Sequence, residues 1–320
     1  MSIYQSTKFF KKIITCLLTI SLVTACNAIR ADEKNLSQQK ILRGDNYGQI
    51  KNQKRLRTYY LYTPKSYHPN QPMPLVLVFH GDAGTGRSIS DVTRFNNLAD
   101  KKGFIVVYPD GIDKKWSLRG NSQGKVDDVL FVSALIDHLK QQINIDSHKI
   151  YATGFSRGGI LTQALACKLS DKIAAFASVA GSLPVRLKPN CQPPTPISMM
   201  IVNGTNDRDV RYEGDDHSQR GALVSISDMV SFWRSHDRCI SSSASLLLPG
   251  MNSSQSSKVK ATHYSNCSGN SEVLQLAVVN GGHFWPGGAS TDPNLNKFNA
   301  KLGLNASQTI WGFFQRHSLS

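Results

Sequence analysis

No apolar run in this chain is long enough to cross a bilayer. The longest, Ile13–Val23, falls short of the roughly 20 residues that a spanning helix requires. C-x-x-C pairs and closely spaced histidine pairs are both missing, which removes the usual grounds for a structural zinc site, and no metal is expected. No internal repeat argues for a solenoid. Acidic residues are scarce, 22 Asp and Glu against 37 Lys and Arg, giving a formal net charge of +15. Those basic residues are dispersed rather than gathered in an arginine-rich tract, so a nucleic-acid partner is excluded and a solvated basic surface expected.

The short apolar run has a use of its own. Lys8, Lys11 and Lys12 precede it, and residues 1–25 read as an export signal whose removal takes three lysines and no acids, leaving +12. Val23-Thr24-Ala25-Cys26 resembles a lipobox, which makes Cys26 a candidate lipid anchor and the only expected membrane contact; ordinary cleavage after Ala28 or Ala31 is the other reading. An extracellular or periplasmic location follows from either. Past Cys16 and Cys26 the cysteines are Cys167, Cys191, Cys239 and Cys267, an even set suited to disulfides. Four allow three connectivities, of which pairing of sequence neighbours, Cys167–Cys191 and Cys239–Cys267, is the simplest. With 26–44 as an N-terminal extension, 45–320 is expected to form one α/β domain.

The motif that carries chemistry is Gly154-Phe155-Ser156-Arg157-Gly158, directly after the β-branched and aromatic run Lys149–Thr153 and before the helix-like Gly159–Ala166. This is the G-x-S-x-G form of a nucleophile elbow, a strained strand-to-helix turn that lifts a serine hydroxyl off a sheet edge. A serine needs a histidine base, and the base an orienting acid. Pro196–Val202 reads as a buried strand ending in Asn203-Gly204-Thr205-Asn206-Asp207, and Ser271–Val279 as another ending in Asn280-Gly281-Gly282-His283. Asp207 and His283 therefore stand beyond strand ends on the edge that presents Ser156, where open α/β sheets bind ligands. Asp209 competes for the acid role. His217 competes for the base but lies in a polar stretch with no strand before it.

An oxyanion hole takes one backbone N–H from the residue after the nucleophile, Arg157, and a second from a loop after an earlier strand. Pro74–Phe79 is that strand, His80-Gly81-Asp82-Ala83-Gly84 the loop, and Asp82 the second donor; His80 is expected to shape the loop rather than act as a base.

Together these stretches resemble the secreted polyhydroxybutyrate depolymerase and feruloyl or acetyl-xylan esterase family of α/β-hydrolases. The resemblance runs from about Tyr47 to the C-terminal helix. It rests on Pro74–Gly84, Tyr108-Pro109-Asp110-Gly111, Val126-Asp127-Asp128-Val129, Gly154–Gly159, Asn203–Asp207 and Gly281-Gly282-His283-Phe284-Trp285-Pro286-Gly287-Gly288. It implies an α/β-hydrolase fold without a separate lid or binding domain, a Ser156–His283–Asp207 acyl-enzyme mechanism with no cofactor, and the same neighbour pairing of cysteines. There are two departures: the family usually has a small or neutral residue where Asp82 stands, and Asn-Asp where Ser117-Leu118 follows Trp116. A carboxylate beside a developing oxyanion opposes catalysis unless it is turned away or neutralised, with Arg157 the nearest cation in sequence.

Asp127 or Asp128 is placed to cap a helix striped by Val132, Leu135, Ile136, Leu139 and Ile143. Leu56–Tyr62 and Phe104–Tyr108 are further strands, Gly221–Asp237 and Gln308–His317 further helices, and Ser241–Ser257 a loop or hairpin connection. Trp116 and Trp285 are candidates for the wall of an acyl or sugar pocket, with simple packing the equal alternative. The expected activity is hydrolysis of esters by a monomer, with hydroxyalkanoate oligomers the leading substrate; the missing Thr- or Pro-rich linker to a polymer-binding module favours soluble oligomers or accessible esters over crystalline polymer. Feruloyl or acetyl-xylan ester hydrolysis is the alternative. A catalytically idle surface binding protein on a hydrolase scaffold is the reading from another class, with Asp82 its one argument.

Overall fold

The computed structural model describes residues 43–118, 126–216, 221–244 and 258–320, all within one compact unit, Leu42–Ser320. The candidate export signal, Cys26 and His217 lie outside the described residues.

Ten strands form one sheet: β1 (Gly44–Asn52), β2 (Arg55–Thr63), β3 (Met73–Phe79), β4 (Ile105–Pro109), β5 (Ile145–Phe155), β6 (Ala175–Val179), β7 (Ser198–Gly204), β8 (Ser241–Ala244), β9 (Val259–Ser265) and β10 (Val273–Val278). Their order is β1-β2-β4-β3-β5-β6-β7-β10-β9-β8. The run from β4 to β10 is parallel throughout, while β1 and β2 on one flank and β9 and β8 on the other pair antiparallel. The central strands are apolar on both faces, as strands covered by helices must be.

Seven helices are described: α1 (Gly86–Thr93), α2 (Phe95–Lys102), α3 (Asp128–Gln142), α4 (Arg157–Lys168), α5 (Ile226–His236), α6 (Pro293–Leu302) and α7 (Ala306–Phe314). Helices α1, α2 and α7 share a core with alternate strand residues, among them Val76, Val78, Val106, Tyr108, Ala177 and Val179. Helices α3, α4 and α5 give none of their buried side chains to that cluster and cover the opposite face. Among the described residues no helix is long and apolar enough to cross a membrane.

Asp127 caps α3, its carboxylate accepting from the Val129 and Leu130 amides, and Val132, Leu135, Ile136 and Leu139 are buried as their spacing predicts. The candidate helix over Gly221–Asp237 begins later, at Ile226, because Ser225 supplies the cap that closes its first turn. Part of the Ser-rich stretch is strand β8, the first arm of a hairpin with β9. Both neighbour disulfides are present, Cys167–Cys191 and Cys239–Cys267.

Candidate active site

Parallel register puts the site together. Phe79 at the end of β3 lies beside Gly154, Phe155 beside Val179, Val179 beside Val202, and Gly204 beside Val278, so the loops that follow all leave one edge. At the end of β5 the chain turns into α4 through Ser156, whose backbone is held at φ 55°, ψ −118°. That conformation costs a non-glycine residue on the order of 1–3 kcal/mol and persists only where surroundings enforce it. Here the Ser156 N–H donates to the Val179 carbonyl at 2.9 Å and its own carbonyl accepts from Ile160 at 2.9 Å. The turn also brings α4 against backbone. A β-carbon on Gly154 would lie 2.4 Å from the Gly158 carbonyl carbon, and one on Gly158 would lie 2.2 Å from the Phe79 oxygen.

The loops after β7 and β10 are laced to each other. Thr205 donates to Val278, Asn206 to Gly281, and Asn280 to the Thr205 hydroxyl, all at 2.8–2.9 Å. The lacing brings Asp207 and His283 together: His283 Nδ1–H donates to Asp207 Oδ2 at 2.8 Å, and its Nε2 lies 2.8 Å from Ser156 Oγ. A carboxylate can only accept, so Nδ1 carries the hydrogen and Nε2 is left to accept from the serine. Asp207 Oδ1 accepts from the amides of Asp209 and Val210 at 2.8 and 2.9 Å, which fixes the carboxylate and sets Asp209 as a backbone support for Asp207. Phe155 packs its ring against the imidazole with centroids 4.9 Å apart.

His80 and Trp116 brace the neighbouring loop. His80 Nε2 accepts from the Gly111 amide at 3.0 Å and Nδ1–H donates to the Gly81 carbonyl at 2.6 Å. Burial holds its pKa below the ordinary value, so the ring is neutral and both nitrogens are committed. Trp116 packs against it at a tilt, ring centroids 4.6 Å apart, and donates its indole N–H to the His80 carbonyl at 2.8 Å. Beneath lies a pair the sequence reading missed, Arg57 and Asp128, with N–O at 2.6 Å and side-chain exposures of 2% and 1%. Asp128 also takes the Ser117 amide, tying the loop after β4 to the start of α3.

Of the two readings of Trp116 and Trp285, these contacts favour packing over a pocket wall. Trp116 is 4% exposed and Trp285 3%; the Trp285 indole N–H goes to Ser307 Oγ, and its ring meets Phe95 edge-on. Both are packing residues, since large rings at the junction of helices and loops bury more apolar surface inward than the site edge offers. Asp82 is answered by Arg157, its Oδ1 accepting from Nε at 2.9 Å.

Among the described residues, one group has three potential metal ligands close together: Asp207, Asp209 and His283, with one ligand atom of each within 4.8 Å of the others. The Nδ1–H bonded to Asp207 has no lone pair to give a cation, and Nε2 faces the serine.

Comparison with known proteins shows what the chain is similar to. The model described as "Esterase PHB depolymerase" matches residues 57–185, the span that holds the β3 loop, the Asp110-Gly111 turn, the Asp127-Asp128 cap and the elbow. The match covers 129 of the 320 residues, and over that span the chain is similar to this esterase family. A bifunctional acetylxylan esterase/xylanase of Neocallimastix patriciarum is 36% identical over 159 residues, 49% of this chain and 22% of that protein. Feruloyl esterase B of Piromyces equi is 26% identical over 230 residues, 69% of this chain and 41% of that one. The chain thus spans well under half the length of either relative. Among solved structures, an acetyl xylan esterase from Aspergillus awamori superposes with a TM-score of 0.56 at 14% identity, over 80% of this chain and 99% of that chain. That likeness is one of fold, the α/β-hydrolase fold.

Proposed function

We propose that the protein is a serine carboxylic ester hydrolase with Ser156 as nucleophile, His283 as general base and Asp207 as the acid that orients it. The observation that carries the reading is the unbroken relay from Asp207 Oδ2 through His283 to Ser156 Oγ, both links at 2.8 Å. Ser156 Oγ attacks the ester carbonyl carbon while His283 Nε2 takes its proton. The tetrahedral oxyanion is held by the backbone N–H groups of Arg157 and Asp82, and Arg157 is the first residue of α4, where helix N–H groups have no partner within the helix. Collapse expels the alcohol, protonated by the imidazolium. Water, deprotonated by the same ring, then frees the acid and restores the serine.

For substrate we propose hydroxyalkanoate oligomers, the class in the matching family's description, with feruloyl or acetyl-xylan esters supported equally by the two relatives. The idle-scaffold reading loses its argument, because Arg157 neutralises Asp82. Two disulfides fit an oxidising compartment and the exported location read from residues 1–25, with the Cys26 anchor a matter for mass spectrometry of the mature N-terminus.

Initial rates on a 3-hydroxybutyrate oligomer and on methyl ferulate separate the substrates. Ser156→Ala is expected to abolish both, with Ser156 labelled by a fluorophosphonate in the parent alone. Undiminished hydrolysis by the variant would remove the serine mechanism.

A further inference from the structure

The loop that supplies the second oxyanion donor is a tight turn that does not hold itself well. Gly84 N–H donates to the Gly81 carbonyl at 3.2 Å, closing a four-residue turn whose third member, Ala83, has φ +57°. A β-carbon disfavours that left-handed conformation, and glycine or asparagine normally occupies it. The turn therefore depends on ties from outside. One is backbone, Ala83 N–H to the Lys114 carbonyl at 3.1 Å. Another is the side-chain bridge from Asp82 Oδ1 to Arg157 Nε at 2.9 Å.

The position of that bridge is what gives it meaning. Asp82 and Arg157 are the same two residues whose backbone N–H groups are assigned to the oxyanion. We infer that the Asp82–Arg157 ion pair is a latch that sets the spacing of the two oxyanion donors and keeps the Asp82 carboxylate neutralised beside the developing charge. The inference rests on the ester-hydrolase reading above. Both members are positioning residues, acting through backbone they hold in place. Their side chains are 33% and 21% exposed, and a pair so exposed contributes little to global stability. Its effect on the reaction is larger, because oxyanion stabilisation falls steeply as donors move off their target.

The two members are not equivalent. Removing Arg157's side chain takes away the cation that answers the Asp82 carboxylate near the oxyanion, whereas removing that carboxylate only loosens the turn. Arg157→Met is thus expected to lower kcat for p-nitrophenyl acetate about 100-fold and Asp82→Ala roughly 10-fold, with KM nearly unchanged. Asp82→Asn, which keeps an acceptor for Nε, retains most of the parent rate. The double variant Asp82→Ala/Arg157→Met turns over faster than Arg157→Met alone. Inhibition by phenylboronic acid, whose adduct with serine places an oxygen in the hole, weakens in step with kcat, while Tm hardly moves. Parental kcat in Asp82→Ala and Arg157→Met, a loss confined to KM, or unchanged boronate affinity would each overturn the latch. Those results would leave Ser156 labelling and the Ser156→Ala loss intact. Failure of the esterase reading itself would show instead as an unlabelled parent or an active Ser156→Ala.

Discussion

Phe79's carbonyl oxygen occupies the space into which any side chain at position 158 would project, 2.2 Å from an ideal β-carbon. Backbone on one side and a strained serine on the other leave nothing soft to yield. Gly158→Ala should therefore push the start of α4 off β3 and carry Ser156 with it, lowering kcat at least about 100-fold and stability by roughly 1–3 kcal/mol. Turnover numbers and urea midpoints measured side by side would check this, and a variant matching its parent in both would refute it. At this scale the proposed catalytic trio is legible in the sequence because each member sits in a short motif just past an apolar run, so local chain direction alone puts the three on one edge. Arg57 was not legible. It occupies an alternating position of β2 beside Arg55, which reads as a solvated strand face, and only the approach of α3 shows that its charge is buried against Asp128. For Trp116 and Trp285 the choice between pocket wall and packing rests on the same point, that exposure belongs to neighbours, not to the ring.

Helix α4 is held at both ends. Its first residue follows the elbow, and its last turn carries Cys167, bonded to Cys191 across 24 residues of chain. That loop includes β6 and the approach to β7, so the bridge restrains the elements either side of the serine. Replacing both cysteines by serine is expected to cost about 2–4 kcal/mol of unfolding free energy, mainly by freeing the unfolded chain, with kcat at room temperature close to the parent's. Equilibrium denaturation of the double variant under non-reducing conditions gives the number; an unchanged midpoint would mean that the bridge restrains nothing the fold does not already hold. Strong apolar runs such as β3 and β7 announced themselves. Strand β1 did not, since Gly44-Asp45-Asn46-Tyr47-Gly48 is rich in residues that strands avoid, and it exists because β2 offers it an edge. Strand β6, five short residues Ala175–Val179, was missed because a brief apolar run carries no period to distinguish it.

Far from the reactive edge, the C-terminal segment is clasped to the sheet through one carboxylate. Glu272, just before β10, accepts from Arg316 Nη2 at 2.6 Å, from His317 Nε2 at 2.9 Å and from His263. His317 also meets Ser198 Oγ, and its carbonyl accepts from Tyr151 OH at 2.7 Å, so β5, β7 and β10 all meet at the clasp. Burial alone would push the carboxyl up, but the hydrogen bonds and charges of His317 and Arg316 outweigh it and bring its pKa down from 4.5 to about 2. A depressed carboxylate stabilises the fold above its unfolded pKa, and that contribution is lost as pH falls from about 4.5 towards about 2. With the half-exposed Arg316 discounted, it amounts to roughly 2 kcal/mol. Glu272→Gln should be less stable than its parent near neutrality and lose less on acidification. Urea midpoints taken from about pH 6 to about pH 2.5 would show two converging curves, whereas parallel curves would assign the acid sensitivity elsewhere.

By itself the sequence determined the local placements: a strained Gly-Ser-Gly turn, and an aspartate and a histidine each one loop beyond a buried strand. These follow from local conformation and chain order, which short stretches of residues dictate. The tertiary structure alone decided which carboxylates are paired with which cations. Asp82 is paired because Arg157 reaches it, and Asp128 is tolerable in the core because Arg57 does. A charge's cost depends on the solvent and partners within a few ångströms of it, and the packing of distant segments supplies both.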